Sequence, residues 1–295
     1  MRSVTLRGIY CLFFLYTGSV HELNGRYNMK KGGMGMDLQL INKVVVITGG
    51  SKGIGYQCAL QFVQEGAHVA ICARGEKYLQ VAKDCIFQQT GKEIFTFACD
   101  VSKEHACKAF VEAVVQKFGR IDILVNNAGT AAAMPFEHVE TAYWQSDLDL
   151  KLFGAIHCSK YAVPLMRENG GGSIVNVTAV LAKTPPASSL PTTVSRAAGL
   201  ALTKAMSNDL GPSNIRVNAV CIGLIRSDQI EKRWKAQEPN LSWEQYSEKI
   251  GETIPLRRIG NAEEAANVIV FLSSPAASYI TGTAVNIDGG SGTVL

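Results

Sequence analysis

Thr48-Gly-Gly-Ser-Lys-Gly-Ile-Gly55 follows the apolar run Val44-Val-Val-Ile47 and precedes a stretch in which Ile54, Ala59, Leu60, Phe62 and Val63 share one helical face. The run before it carries no polar alternation, as expected of a strand covered on both faces. Glycines between strand and helix let the backbone turn sharply and approach an anion, and the unpaired N–H groups of the helix's first turn point at that charge. The spacing Gly-x-x-x-Gly-x-Gly is not the commoner Gly-x-Gly-x-x-Gly, and glycines serving only a tight turn are the alternative. The strand-turn-helix context selects the phosphate-binding reading.

Outward from this loop, short apolar runs alternate with amphipathic stretches, the pattern of a parallel sheet covered by helices. The predicted strands are Val44 to Thr48, His68 to Ala73, Ile94 to Cys99, Ile123 to Asn126, Ser173 to Thr178, Arg216 to Cys221 and Ala284 to Ile287. No repeat or linker interrupts them, so the 295 residues are read as an extension, 1–39, and one domain, 40–295. The net charge of +4 is dispersed, and no basic stripe with interleaved aromatics suggests nucleic acid. Eight cysteines form no Cys-x-x-Cys pair and the histidines share no ligand spacing, so neither zinc nor a disulfide framework is expected and a reducing compartment is. Arg2 and Arg7 precede Ile9 to Val20, too short to span a membrane but long enough for a signal-peptide core. The unpaired thiols, and later starts at Met29, Met34 and Met36, favour a disordered or non-native extension and a cytoplasmic protein over a cleaved signal.

The loop Thr48 to Gly55 resembles the nucleotide-binding motif of the short-chain dehydrogenase/reductase (SDR) family, and three further segments match in order. Asn126-Asn-Ala-Gly129 is similar to the family's Asn-Asn-Ala-Gly segment, Val217-Asn-Ala-Val220 to its sixth strand, and Gly282 to Gly289 to its seventh. The resemblance covers Leu40 to about Gly290. It implies a doubly wound, Rossmann-type α/β domain with a seven-stranded parallel sheet, helices on both faces, and a nicotinamide cofactor. The implied cofactor contacts are Thr48, Gly49, Ser51, Lys52, Gly53, Ile54 and Gly55 in the loop, and Asp100 and Val101 beside the adenine. Asn127, Ala128 and Gly129 would line the nicotinamide side, with Gly223 and Ser227 in a segment resembling a Pro-Gly-x-x-x-Thr clamp whose proline is Ile222. Ser227 as the cap of the following helix is an equal alternative.

The residue ending the second strand selects between cofactors, since an acid bonds the ribose 2′-hydroxyl and an arginine suits a 2′-phosphate. Here Cys72-Ala73-Arg74 lacks the acid, and Lys52 adds a second cation, so NADP(H) is expected rather than NAD(H). Two ordinary solvated cations are the alternative.

The family's catalytic serine, tyrosine, lysine and asparagine are all absent. Their positions fall on Ala179, Thr192, Arg196 and Lys151. A tyrosine phenol can protonate a nascent alkoxide near neutral pH, whereas the threonine hydroxyl is a poor proton donor by itself. Arg196 keeps a cation that could hold the nicotinamide ribose but cannot titrate. Trp144, Leu148, Lys151 and Ala155 follow helical spacing, which puts the Lys151 ammonium on an apolar stripe. A lysine so placed beside another cation loses basicity, as a neutral-pH proton donor must. Lys151 is therefore the expected donor, with Thr192 positioning the substrate oxygen and Arg196 completing the catalytic set. A solvated Asp147–Lys151 pair is the alternative.

The expected activity is hydride transfer between NADP(H) and a carbonyl or alcohol. The competing readings are a catalytically silent, cofactor-binding sensor or scaffold, and a dehydratase or isomerase that uses the nucleotide structurally. Segment 227–258, with Trp234, Trp243 and Tyr246, resembles a substrate lid. The long apolar helices Glu137 to Arg167 and Leu190 to Leu210, the last strand and Asn261 to Leu272 suggest a homodimer or homotetramer.

Overall fold

Strand β1, Val44–Thr48, is buried along its whole length, and its side chains divide between two cores. Val45 and Ile47 face one way and Val44 and Val46 the other, as the two-residue period of a strand requires. In the computed structural model, which describes residues 36–294, this strand lies inside a seven-stranded parallel sheet. The signal-like run and the alternative starts at Met29 and Met34 lie outside the described residues; from Leu38 onward the chain forms one compact unit.

The remaining strands are β2 (His68–Ala73), β3 (Phe95–Ala98), β4 (Ile123–Asn126), β5 (Gly172–Ala179), β6 (Ile215–Ile222) and β7 (Ala284–Ile287). Their spatial order is 3-2-1-4-5-6-7, with every neighbouring pair parallel. All seven predicted strands are present, and the doubly wound fold expected from the alternating pattern is the one observed. Helices α1 (Gly53–Gln64) and α2 (Glu76–Thr90) cover the face of Val45 and Ile47, where Phe62, Leu79 and Ile86 enter the core. Helix α3 (Glu104–Phe118) covers the opposite face through Phe110 and Val114. The strands up to β3 are added on one side of β1 and those from β4 onward on the other, a switch that opens a crevice at the carboxyl ends of β1 and β4, where ligands of such sheets bind.

The stretch read as one helix from Glu137 is divided. Phe136–His138 is a 3-10 turn, α4 spans Thr141–Leu148, a π turn occupies Asp149–Phe153, and α5 runs Gly154–Glu168. Pro135 and the extended backbone at Val139 and Glu140 keep Glu137 out of the helix. The wide π turn alters the register of the buried face. Consequently Trp144 and Leu148 are only partly buried, and the inward line runs through Asp147, Lys151, Gly154 and Cys158.

Helix α6, Thr192–Leu210, packs on the same sheet face and against the π turn. After β6 the chain leaves the sheet for α7 (Asp228–Gln237) and α8 (Trp243–Ile250), then returns through α9 (Ala262–Ser273), which packs on α1. Most apolar residues of α9 are consumed within the chain, Ala265, Ala266, Ile269 and Val270 being buried. No helix of the described residues is long and apolar enough to cross a membrane.

Candidate active site

The glycine loop sits at the carboxyl end of β1, in the crevice. Gly49 adopts φ +66°, a conformation that side chains resist, and a Cβ on Gly55 would stand 2.4 Å from Gly49 O and 2.5 Å from Asn127 Nδ2. Glycine at 55 thus brings the first turn of α1 against the strand ends. Asn127 Nδ2 donates to Thr48 O at 3.0 Å and Gly49 O at 3.1 Å, while Thr48 Oγ1 accepts the N–H groups of Asn127 and Ala128 at 3.0 Å each. Strand ends β1 and β4 are therefore stitched into one platform, with Lys52 at the N-terminal boundary of α1 and Ser51, Gly53 and Ile54 beside it.

Next to the platform lies a cavity of about 140 Å³, walled by Gly49, Ala73, Arg74, Asp100, Val101, Ala128 and Gly129 among others. The sequence-predicted residues for a nucleotide's adenosine half converge on it. Arg74 is exposed at its edge and makes no ion pair among the described residues. Lys52 is engaged otherwise: its Nζ lies 3.3 Å from Asp228 Oδ1 and 3.9 Å from the centre of the Tyr78 ring. Of the two expected cations, Arg74 is thus the uncommitted one, and Lys52 ties the loop to the start of α7.

A second cluster lies where α4, the π turn and α6 meet. The side chains of Lys151 and Asp147 are only 1% and 3% exposed. Lys151 Nζ donates to Asp147 Oδ1 and to Thr192 Oγ1. Ser195 Oγ donates to Asp147 Oδ2 at 2.5 Å. The pair that a solvated face would have made trivial is hence enclosed, with both carboxylate oxygens and two of the three ammonium protons hydrogen-bonded. It is buried because α6 presents Thr192 and Ser195, one turn apart, to the inward line of α4 and the π turn. Thr192 opens α6, and its N–H reaches Ala132 O at 3.2 Å, so the segment after β4 fixes where that helix begins.

Arg196 follows one turn later. Its Nη1 donates to Val177 O, and a Cβ on Gly129 would meet its Nη2 at 2.7 Å, so the guanidinium fills the space beside Gly129. No carboxylate forms an ion pair with it among the described residues. Burial holds the Arg196 pKa below its ordinary value. Lys151 is pulled down to about 8, first by burial and also by the Arg196 charge, against the raising effect of its hydrogen bond and charge interaction with Asp147.

Beneath this cluster is a small cavity of about 20 Å³, room for about one water-sized molecule, walled by Lys151, Asn126, Asn176, Ser195 and Arg196 among others. Asn126 Nδ2 donates to Asn176 Oδ1 at 2.9 Å and Ser159 Oγ at 3.2 Å, and Asn176 Nδ2 to Thr203 Oγ1 at 2.9 Å. This polar ladder ties β4 and β5 to α5 and α6. Thr178, on the same strand face as Asn176, also walls this cavity, and its Oγ1 donates to Val220 O at 3.1 Å. Ala179, the next residue, offers no hydroxyl.

Gly223 packs against Asp288, whose Cα a Cβ there would approach to 2.6 Å, and Ser227 Oγ accepts the Ile230 N–H as the cap of α7. In segment 227–258 Trp234, Trp243 and Tyr246 pack on one another, with ring centres 5.6 to 6.3 Å apart. Arg226 lies 4.4 Å above Trp243, and Tyr246 is 1% exposed. The seven described cysteines are unpaired, and no group of metal-ligating side chains is assembled among the described residues.

Comparison with known proteins places this geometry. The Enoyl-(Acyl carrier protein) reductase family matches residues 49–292. Human Dehydrogenase/reductase SDR family member 4 is 35% identical over 266 residues, 89% of this chain and 92% of its own. The chain belongs to the short-chain dehydrogenase/reductase family. Among solved structures, the short chain oxidoreductase from Pseudomonas aeruginosa PAO1 containing an atypical catalytic center superimposes in its apo form with TM-score 0.83 and 34% identity, over 86% of this chain and 98% of that one. Its NADPH-bound form gives 0.81 and 33%, over 86% and 100%. L-sorbose reductase from Gluconobacter frateurii, complexed with NADPH and L-sorbose, gives 0.84 and 34%, over 88% and 100%.

Sequence reasoning named Lys151, Thr192 and Arg196, which the structure brings together, and considered Asp147 only as the partner in a solvated pair; Ser195 it passed over. The signal was present in the Asp147–Lys151 spacing of four and in a serine three residues after Thr192. Reading Trp144 as the inward residue hid it.

Proposed function

We propose that this protein is an NADP(H)-dependent oxidoreductase that moves hydride between the nicotinamide and a carbonyl or alcohol, with Lys151 handling the proton through Thr192. The residues of the crevice fit the dinucleotide. A close-packed glycine loop at the N-terminus of α1 suits the pyrophosphate, the 140 Å³ cavity beside Asp100 and Val101 suits the adenosine, and the uncommitted Arg74 suits a 2′-phosphate, with Lys52 nearby. Asn127, Ala128 and Gly129 would line the nicotinamide half, Arg196 its ribose, and Gly223 and Ser227 its outer edge. Bound NADP(H) supplies or accepts the hydride.

The observation that carries the reading is the direction of the hydrogen bonds around Thr192. Lys151 donates to Thr192 Oγ1, which leaves the threonine's own hydrogen for a substrate oxygen. In reduction, Thr192 gives that proton to the nascent alkoxide as Lys151 passes one to Thr192 Oγ1. No threonine alkoxide accumulates, and Lys151 is left as a neutral amine that solvent reprotonates. The N-terminus of α6, at Thr192, adds its positive end to the site of developing charge.

The burial of Lys151, whose side chain is 1% exposed, favours a second reading, a cofactor-binding sensor or scaffold without turnover. Saturating the purified protein with NADPH and following loss of reduced-nicotinamide absorbance over a panel of ketones and aldehydes separates the two. Turnover is expected; NADPH binding with no turnover across the panel supports the sensor. We further propose a homodimer or homotetramer through α4, α5 and α6, where Tyr143, Phe153 and Val194 remain exposed. Light scattering at micromolar concentration tests it, and a monomer refutes it.

A further inference from the structure

Asp147 has no counterpart in the proton-handling role assigned to Lys151 and Thr192, yet it is the most completely enclosed acid of the site. It stands on the last turn of α4 with its side chain 3% exposed. A carboxylate taken that far from water is costly unless both oxygens are satisfied. Oδ1 accepts from Lys151 and Oδ2 accepts from Ser195 at 2.5 Å. Ser195 has a second acceptor, Thr192 O, at 3.0 Å, but its single proton goes to the shorter, charge-assisted bond. The carboxylate is therefore oriented from α6 and cannot swing away from the lysine.

We propose that Asp147, oriented by Ser195, is the positioning residue of this site: it fixes the Lys151 ammonium against Thr192 Oγ1 and supplies the countercharge that the buried cation needs.

The charges acting on Lys151 come from two elements. Asp147 on α4 raises its proton affinity, and Arg196 on α6 lowers it. Asn126 of β4 and Asn176 of β5, which share the cavity wall with it, are neutral. Asp149 turns the other way and accepts from Gln145 at 2.7 Å. With burial and Arg196 both acting against the charged form, Asp147 is the acid that opposes them. Without it Lys151 becomes a neutral amine at neutral pH, able to accept a proton from an alcohol but not to deliver one to an alkoxide. Asp147 would thus set both the place and the pH range of proton delivery. The inference rests on the proton-handling role proposed for Lys151 only in its consequence for turnover; the effect on the lysine itself is separately measurable.

The test is the titration of Lys151, followed by NMR of lysine labelled at the ε-carbon, in the full chain and in Asp147→Asn, Asp147→Glu and Ser195→Ala, with near-ultraviolet circular dichroism to establish folding. Asp147→Asn is expected to lower the lysine midpoint by about one pH unit or more, a tenfold loss of proton affinity. It should move the high-pH limb of carbonyl reduction by the same amount, with kcat falling and KM unchanged. Asp147→Glu should restore much of both, and Ser195→Ala should give a smaller shift in the same direction, which serves if Asp147→Asn does not fold. An unchanged lysine midpoint in a folded Asp147→Asn or Ser195→Ala protein overturns the inference. So does a fall in kcat without movement of either the midpoint or the limb, the mark of a merely structural role. A midpoint that moves while the turnover limb stays in place supports Asp147 as the residue that charges Lys151 and overturns Lys151 as the proton donor.

Discussion

Replacing Lys151 by methionine removes a proton donor and also breaks a buried ion pair, and the two effects can be separated. Both side chains are almost wholly enclosed, at 1% and 3% exposure. Lys151→Met leaves the Asp147 carboxylate with Ser195 as its one remaining side-chain donor among the described residues. Removing one partner of such a pair costs about 3–5 kcal/mol, whereas replacing both partners by apolar side chains is often neutral or better. The double variant Asp147→Leu/Lys151→Met should therefore recover most of the stability lost by the single one. Ser195 keeps an acceptor in the double variant, since Thr192 O is 3.0 Å from its Oγ. Activity should behave differently: a missing general acid costs about 10²–10⁴ in rate, so both variants should show that loss in carbonyl reduction. Urea unfolding followed by tryptophan fluorescence gives the stabilities, and NADPH oxidation under saturating substrate gives kcat. If the double variant regains turnover together with stability, the loss in the single variant was structural and the assignment of Lys151 fails. Unchanged turnover in Lys151→Met defeats it more simply.

Two further outcomes bear on the cofactor. Arg74→Ala should weaken NADPH about 10- to 100-fold, the value of a hydrogen-bonded charge contact, and leave NADH nearly unaffected; equal loss of both in calorimetry would remove the basis for NADP(H) preference. Gly55→Ala places a Cβ 2.4 Å from Gly49 O and 2.5 Å from Asn127 Nδ2, so the platform must shift, at a cost of about 1–3 kcal/mol. Dinucleotide binding should fall to background in a fluorescence titration, and wild-type affinity in this variant would show that the loop is not the phosphate cradle.

The sheet was legible because a fully covered strand advertises itself. Val44 to Ile47 carries no polar residue, and its split between two cores follows from the two-residue period alone. The platform around Thr48 and Asn127 was legible through its glycines, which mark close approaches. The helix bearing Lys151 was harder. Hydrophobic spacing assumes a regular turn, and the π turn at Asp149–Phe153 shifts which residues face inward, so Trp144 was placed on the buried stripe with Lys151 while Asp147 entered only through the alternative of a solvated pair. A buried acid leaves no trace in hydrophobic patterning, because its burial depends on partners brought from α6, in particular Ser195, 48 residues away. Lys52 illustrates the same limit: as a cation in a glycine loop it looks free, yet its partner Asp228 lies 176 residues further along the chain.

The most direct test of the central claim is the pH dependence of kcat for wild type and Lys151→Met with one reducible substrate, run in both directions. Carbonyl reduction needs the ammonium, so wild-type kcat should be level at lower pH and fall about tenfold per unit once pH exceeds about 8; alcohol oxidation needs the neutral amine and should rise through the same midpoint. Lys151→Met should show neither limb. A wild-type profile without a limb near 8, or the same limb surviving in Lys151→Met, would mean that the proton travels by another route.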